Sequence, residues 1–266
     1  MPGRADGGIS MKISANLSLL FKELPLLERF GAARRAGFDA IEIQSPYAES
    51  SADLRHAAHD AGLPVVLINA PVIPETYPSG FAGRPEMRAE FRAQLPLVSE
   101  YADALQVDCV HVLGGLCAAP EADICRTTYV ENLMLAADAL QGRQVVTEFI
   151  NPYDMPGYLN PSLAVAREIL RNCGGRVRLQ FDLYHAARTG LDIAAELKSC
   201  LAEVAHIQFA DAPGRHEPGT GSTPFAETLK MLANSSYDGY LGAEYNPIAG
   251  TEQGLNWLSR WRKEFS

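Results

Sequence analysis

The sequence predicts an α/β protein, a single-domain (β/α)8 barrel of the TIM type. Eight β-like runs alternate with eight helical patterns, as in a parallel sheet with right-handed crossovers. The 266 residues are close to the roughly 250 that one such barrel takes. The junctions AGFDAIEI, AGLPVVLI and YDGYLGAEY each place a Gly where a helix must stop before a strand.

Residues 12–16 form the first predicted strand. A helical stretch follows, with Leu20, Leu24, Leu27 and Phe30 spaced for one face and Gly37 as its stop. Then come a strand at 40–43, a helix at 49–61 closed by Gly62, and a strand at 64–69. Residues 70–85 carry Pro71, Pro74, Pro78, Gly80, Gly83 and Pro85, and read as loop. A helix at 86–106, a strand at 109–113, a helix at 121–141 and a strand at 144–148 continue the alternation. The Pro/Gly-rich stretch 151–160 leads to a helix at 161–172 and a strand at 177–182. A helix at 190–203 and a strand at 204–208 precede a long loop at 210–224. The chain ends with a helix at 225–233, a strand at 240–244 and a helix at 251–264. Residues 1–10, Gly-rich and polar, read as a disordered tail before Met11, a candidate natural start; the barrel takes 11–266. No linker, charge block or low-complexity tract divides it.

Composition narrows the function. With 23 basic and 32 acidic residues the net charge is −9, the reverse of a protein that neutralises phosphates, so no nucleic-acid partner is expected. An apolar fraction of 47% with 21% charged residues suits a globular domain. No apolar run approaches the roughly 20 residues of a membrane span. The apolar stretch 15–21 is cut off by Lys22 and Glu23 and lacks the shape of a signal peptide. The five cysteines form no CxxC pair, which argues against a thiolate zinc site. They suit free thiols in a reducing cytoplasm, so a cytoplasmic protein is expected.

Strands five to eight end VVTE, LQFD, HIQ and GAE, that is, in Glu148, Asp182, Gln208 and Glu244. Side chains alternate along a strand, so these four share the inward face with Val146, Gln180, His206 and Gly242. One such acid alone would read as a helix N-cap; four in register converge at the barrel mouth, where barrel enzymes work. Carboxylates brought together repel and resist ionisation unless a cation joins them. An all-oxygen set favours a hard divalent metal, Mg²⁺ or Mn²⁺.

The segments TEFINPYDMPGYLN, LQFDLYH, AHIQFADAPGRHEPGTG and GAEYNP resemble those of hydroxypyruvate isomerases, within the xylose isomerase-like superfamily of TIM barrels. The resemblance runs from about Lys12 to Trp257; ADAPGRHEPGTG and NPYDMPGYLN are its specific parts, while the strand ends are shared with many sugar isomerases and epimerases. It implies that Glu148, Asp182, Gln208 and Glu244 bind the metal, that Glu148 and Glu244 are the acid–base pair, and that His185 contacts substrate. It also implies conversion of hydroxypyruvate to 2-hydroxy-3-oxopropanoate (tartronate semialdehyde). The chain departs from the family at Ser222, where Glu is usual, at Asn246, where Lys is usual, and at Ala186 and Ala187, where Met-Gln is frequent.

The residues allow that chemistry. Aldose–ketose type isomerisation moves a proton between adjacent carbons through an enediolate, with two carboxylates as base and acid and a metal to stabilise the oxyanion. Arg215, in the long loop, suits the carboxylate of a 2-oxo acid, and the adjacent His216 is a second candidate contact. His111, ending the fourth strand, is a candidate pocket residue or a core histidine. His206, below Gln208, reads as barrel filling, and Glu42 and Asn69 as further wall. The Gly-rich run 214–221 matches no nucleotide motif and reads as a flexible lid. Alternatives are a 2-oxotetronate isomerase, a ketose 3-epimerase, a metal-dependent abasic-site endonuclease, and an inactive sugar-binding barrel. The endonuclease would need more histidines and a basic groove. Analogy with other barrels suggests a homo-oligomer.

Overall fold

The computed structural model describes residues 11–264. The expected disordered tail at 1–10 lies outside the described residues. The chain runs β1 (Lys12–Asn16), α1 (Leu26–Ala36), β2 (Ala40–Ile43), α2 (Ser51–Ala61), β3 (Val65–Asn69), α3 (Arg88–Leu105), β4 (Cys109–His111), α4 (Ala122–Ala139) and β5 (Gln144–Glu148). It continues through α5 (Leu163–Asn172), β6 (Val177–Asp182), α6 (Leu183–Arg188), α7 (Ile193–Cys200), β7 (Val204–Phe209), α8 (Phe225–Ala233), β8 (Tyr240–Ala243) and α9 (Asn256–Glu264). The strands pair in parallel in sequence order, and β8 closes on β1 through Ser14 opposite Gly242. The expected closed (β/α)8 barrel is therefore the observed fold.

Both faces of the sheet are covered, so the strands are apolar outside and selectively polar inside. Along β1, Ile13 and Ala15 join the hydrophobic layer under the helices, while Ser14 and Asn16 reach the Glu42 carboxylate within the barrel. Between sheet and helices, α9 contributes Trp257 and Trp261, which pack against each other and against Phe209 of β7 in edge-on or tilted arrangements. Indole and phenyl rings at these separations add edge-to-face attraction to their buried area.

Several boundaries differ from expectation. Leu20 and Leu24 precede α1, because Pro25 sits at the helix entry, a place that suits a residue without an N–H. The strict one-helix alternation fails after β6. There Asp182 caps a short extra helix, α6, its carboxylate accepting from the Tyr184 N–H at 2.8 Å. β4 stops at His111 and β8 at Ala243, with Glu244 next in line and its N–H donating to the Phe209 carbonyl at 3.1 Å. The expectation of five free thiols is corrected: Cys117 and Cys125 form a disulfide, while Cys109, Cys173 and Cys200 are free and buried. The inference of a reducing compartment loses that support.

One close approach depends on glycine. A Cβ on Gly242 would lie 1.9 Å from Glu42 Oε1, an oxygen already held by Ser14 and His206. Gly242→Ala is expected to destabilise the fold by about 1–3 kcal/mol through overpacking. A denaturant midpoint equal to that of the unsubstituted protein would refute this.

Candidate active site

The four strand-end residues lie at one end of the barrel, in staggered register. Asp182 is opposite Gln208, and Gln208 opposite Gly242, while Glu148 is opposite Gln180, and Gln180 opposite His206. Glu148, Asp182, Gln208 and Glu244 are all buried. Three of them are carboxylates, and their contacts differ.

Glu148 Oε2 accepts from Gln180 Nε2 at 3.1 Å, and its Oε1 has no hydrogen-bond partner among the described residues. His185 Nε2 lies 3.7 Å from that free oxygen and 3.6 Å from Asp182 Oδ2. His111 Nε2, itself without a hydrogen bond, is 3.8 Å from Glu148 Oε2. Glu244 Oε1 accepts from Arg215 Nη2 at 2.5 Å and from Gln44 Nε2 at 3.0 Å; its Oε2 accepts from Asn16 at 3.4 Å. Arg215 also reaches Asp182 Oδ2 at 3.5 Å, and its guanidinium stacks on the Tyr184 ring.

Burial and mutual repulsion dominate the protonation of this group. Glu148 is pushed well above the usual carboxylate range, first by burial and then by Asp182 and Glu244. Burial raises Asp182 to about 6 and Glu244 to about 8, in each case despite Arg215. Burial, then His206, pulls His111 down to about 3. Burial, then Arg215 and His111, holds His185 well below the normal histidine range.

Glu42 meets the same burial with the opposite result. It accepts from Ser14 Oγ at 2.6 Å and Gln208 Nε2 at 2.7 Å, and its Oε1 lies 2.7 Å from His206 Nε2. Burial raises its pKa, but His206, Ser14 and Gln208 outweigh that and leave it lowered. His206 is thus the barrel-filling partner expected of it.

Three differences from the sequence expectation stand out. Gln208 is not free at the strand end. A carboxylate only accepts, so Glu42 takes the Gln208 amide hydrogens, and the Gln208 carbonyl accepts from Gln180 Nε2 at 2.6 Å. His216 is turned away, its Nδ1 2.7 Å from the Asn246 carbonyl. The loop bearing Arg215 is also more constrained than a flexible lid. Asp211 Oδ2 accepts from the N–H groups of Gly219 and Gly221 at 2.8 and 2.9 Å, and its Oδ1 from Thr223 at 2.9 Å. Gln44, Gln180 and Asn16 were not singled out by sequence. Gln180 had a signal, since it shares the inward alternation with Asp182.

A hard cation suits this cluster. Ligand atoms of Glu148, Asp182 and His185 all lie within 4.8 Å of one another. The orphaned Glu148 oxygen and the raised carboxylate pKa values mark negative charge short of a counter-ion.

The family described as xylose isomerase-like TIM barrel matches residues 30–261. The chain belongs to that family. It is 39% identical to a 2-oxo-tetronate isomerase of Cupriavidus necator, over 93% of this chain and 97% of the relative. It is 32% identical to a hydroxypyruvate isomerase of Escherichia coli, over 95% of this chain and all (100%) of that one. A crystal structure named AP endonuclease, family 2, from Brucella melitensis superposes with a TM-score of 0.90 at 32% identity, covering 95% of this chain and 99% of that one. The resemblance read from the motifs is thus borne out.

Raised carboxylate pKa values mean that the folded, metal-free family member retains protons the unfolded chain gives up near pH 4. The stability they confer is present at low pH and lost as pH rises through about 6 for Asp182 and about 8 for Glu244. Buried, neutral His111 and His185 contribute the opposite slope up to about pH 7, where unfolded histidine loses its proton. Thermal unfolding in chelator is therefore expected at falling temperature between about pH 7 and about pH 8. A melting temperature that rises between those values would contradict it.

Proposed function

We propose that this chain is a metal-assisted isomerase of a small hydroxy-oxo acid, converting hydroxypyruvate to 2-hydroxy-3-oxopropanoate. The observation that carries the reading is the buried cluster of Glu148, Asp182 and Glu244, with an unpartnered Glu148 oxygen, at the mouth of a barrel of this family. Glu148, Asp182, Gln208 and Glu244 would hold Mg²⁺ or Mn²⁺, Gln208 through the lone pair its carbonyl has left. The ion, when bound, would acidify the substrate C–H and stabilise the developing oxyanion.

The reaction moves one proton between neighbouring carbons and one between their oxygens. One carboxylate of the pair Glu148 and Glu244 removes a proton from C3, giving the enediolate, and a proton is returned to C2. A carboxylate raised toward neutrality is a stronger base than one in water, and burial gives both glutamates that property. His185 and Arg215 both lie beside the Asp182 carboxylate, at 3.6 and 3.5 Å. Arg215 suits the substrate carboxylate by a paired, charge-assisted contact, and His185 suits a substrate oxygen. His111, beside Glu148, lines the wall. His216, tied to Asn246, is the weakest member of the expected substrate set.

A second reading is favoured by the 39% identity to a 2-oxo-tetronate isomerase: a four-carbon oxo acid would use the same groups with one more hydroxylated carbon. A nucleic-acid substrate is disfavoured by the −9 charge.

Glu148→Gln and Glu244→Gln are each expected to lower turnover by about 10²–10⁴-fold with an unchanged circular dichroism spectrum. Chelation is expected to abolish turnover, and Mg²⁺ or Mn²⁺ to restore it. Hydroxypyruvate and 2-oxotetronate are the substrates to compare. Turnover of a ketose and of neither oxo acid would reject the reading.

A further inference from the structure

His185 carries two ring nitrogens with different surroundings, and Asn151 distinguishes them. Asn151 lies three positions beyond Glu148, in the loop after β5, and is fully buried. Its side-chain Oδ1 accepts from the backbone N–H groups of Tyr153 at 3.1 Å and Asp154 at 3.0 Å. Backbone N–H groups only donate, so this orientation of the amide is fixed without reference to histidine. The Asn151 Nδ2 group must then point the other way. One of its contacts is Asp154 Oδ2, at 3.0 Å; the other is His185 Nδ1 at 2.8 Å. The Asn151 backbone N–H also faces His185 Nδ1, at 3.4 Å. Two donors aimed at one ring nitrogen require that nitrogen to carry the lone pair.

We propose that Asn151 is a positioning residue that fixes His185 as the tautomer protonated on Nε2. His185 then offers a hydrogen-bond donor to a substrate oxygen, and serves neither as a proton-abstracting base nor as a metal ligand. The Nε2–H points between Glu148 Oε1 and Asp182 Oδ2, at 3.7 and 3.6 Å. Those distances exceed a direct hydrogen bond and leave the donor for another acceptor. The network behind Asn151 is anchored as well: Asp154 Oδ2 also accepts from Tyr184 Oη at 2.6 Å, and Asp154 Oδ1 lies 3.4 Å from Arg188 Nη2. An amide stands where a carboxylate would draw the proton to Nδ1. The catalytic consequence rests on the isomerase reading; the tautomer does not.

The test is long-range proton–nitrogen NMR on the full chain with ring-labelled histidine. The six histidines give a tractable spectrum, and His185→Gln identifies the signals lost. The expected pattern is a protonated-type Nε2 and an unprotonated-type Nδ1, unchanged on adding Mg²⁺. A proton on Nδ1 in the unsubstituted protein overturns the proposal, as does loss of the Nε2 proton on adding the ion. Asn151→Asp is expected to move the proton to Nδ1 and to lower kcat by about 10–100-fold, with KM less affected. An Asn151→Asp protein that keeps both the Nε2 proton and full kcat also overturns it. If that variant does not fold, the spectrum of the unsubstituted chain decides. Failure of both oxo acids as substrates would remove the isomerase reading and leave the tautomer measurement intact.

Discussion

Three carboxylates buried within reach of one guanidinium set the terms for everything at the mouth of this barrel. Glu148, Asp182 and Glu244 are nearly inaccessible to water, and Arg215 supplies one positive charge among them. Coulomb repulsion and lost solvation therefore remain only partly offset, and all three acids hold their protons more tightly than in water. A group of acids so arranged costs stability in the absence of a cation. Such perturbed groups at the C-terminal strand ends of a barrel are where ligand sites cluster.

Glu42 shows that the barrel can also neutralise an interior acid when chemistry does not require it to be reactive. Ser14 and Gln208 donate to its two oxygens, and His206 lies against one of them, so it stays ionised. The two regions are linked by amides. Gln208 gives its hydrogens to Glu42 and accepts from Gln180, whose Nε2 also donates to Glu148. The direction of each amide follows from carboxylates being acceptors only. The fixed charge on Glu42 thereby orients the chain of donors that ends on Glu148.

Much of this was legible in sequence because it depends on period-two alternation along strands. Glu148, Asp182, Gln208 and Glu244 came from that rule alone, and so did the inward placement of His206. What escaped depends on contacts between distant segments or on short local capping. α6 has six residues and begins directly at a strand end, so no Gly, Pro or long apolar period announces it. The Cys117–Cys125 disulfide spans eight positions, outside the spacings that signal a metal or redox motif. Asn151 falls in the Pro/Gly-rich stretch after β5, and that its amide meets His185 requires the path of α6. Arg215 was expected from charge logic to suit a substrate carboxylate; its contacts to Asp182 and Glu244 depend on how the long loop folds over the barrel mouth and could not be read from the sequence.

Asn246 and Ser222 bear on the loop that carries Arg215 through backbone contacts. Asn246 donates its N–H to the Arg215 carbonyl, and its own carbonyl faces His216 Nδ1. Ser222 donates its N–H to the Ala212 carbonyl. These ties use main-chain atoms, which any residue other than proline supplies at a donor position. Any non-proline residue at 222 and 246 could make the same two ties. Arg215 itself has φ of +55°, a conformation uncommon outside glycine, held by the Asn246 bond on its carbonyl and by Glu244 on its guanidinium. Charge at the barrel mouth and backbone geometry in the loop thus support each other. Asn246 holds the Arg215 backbone from its carbonyl, and the guanidinium meets Asp182 and Glu244 of the acid cluster.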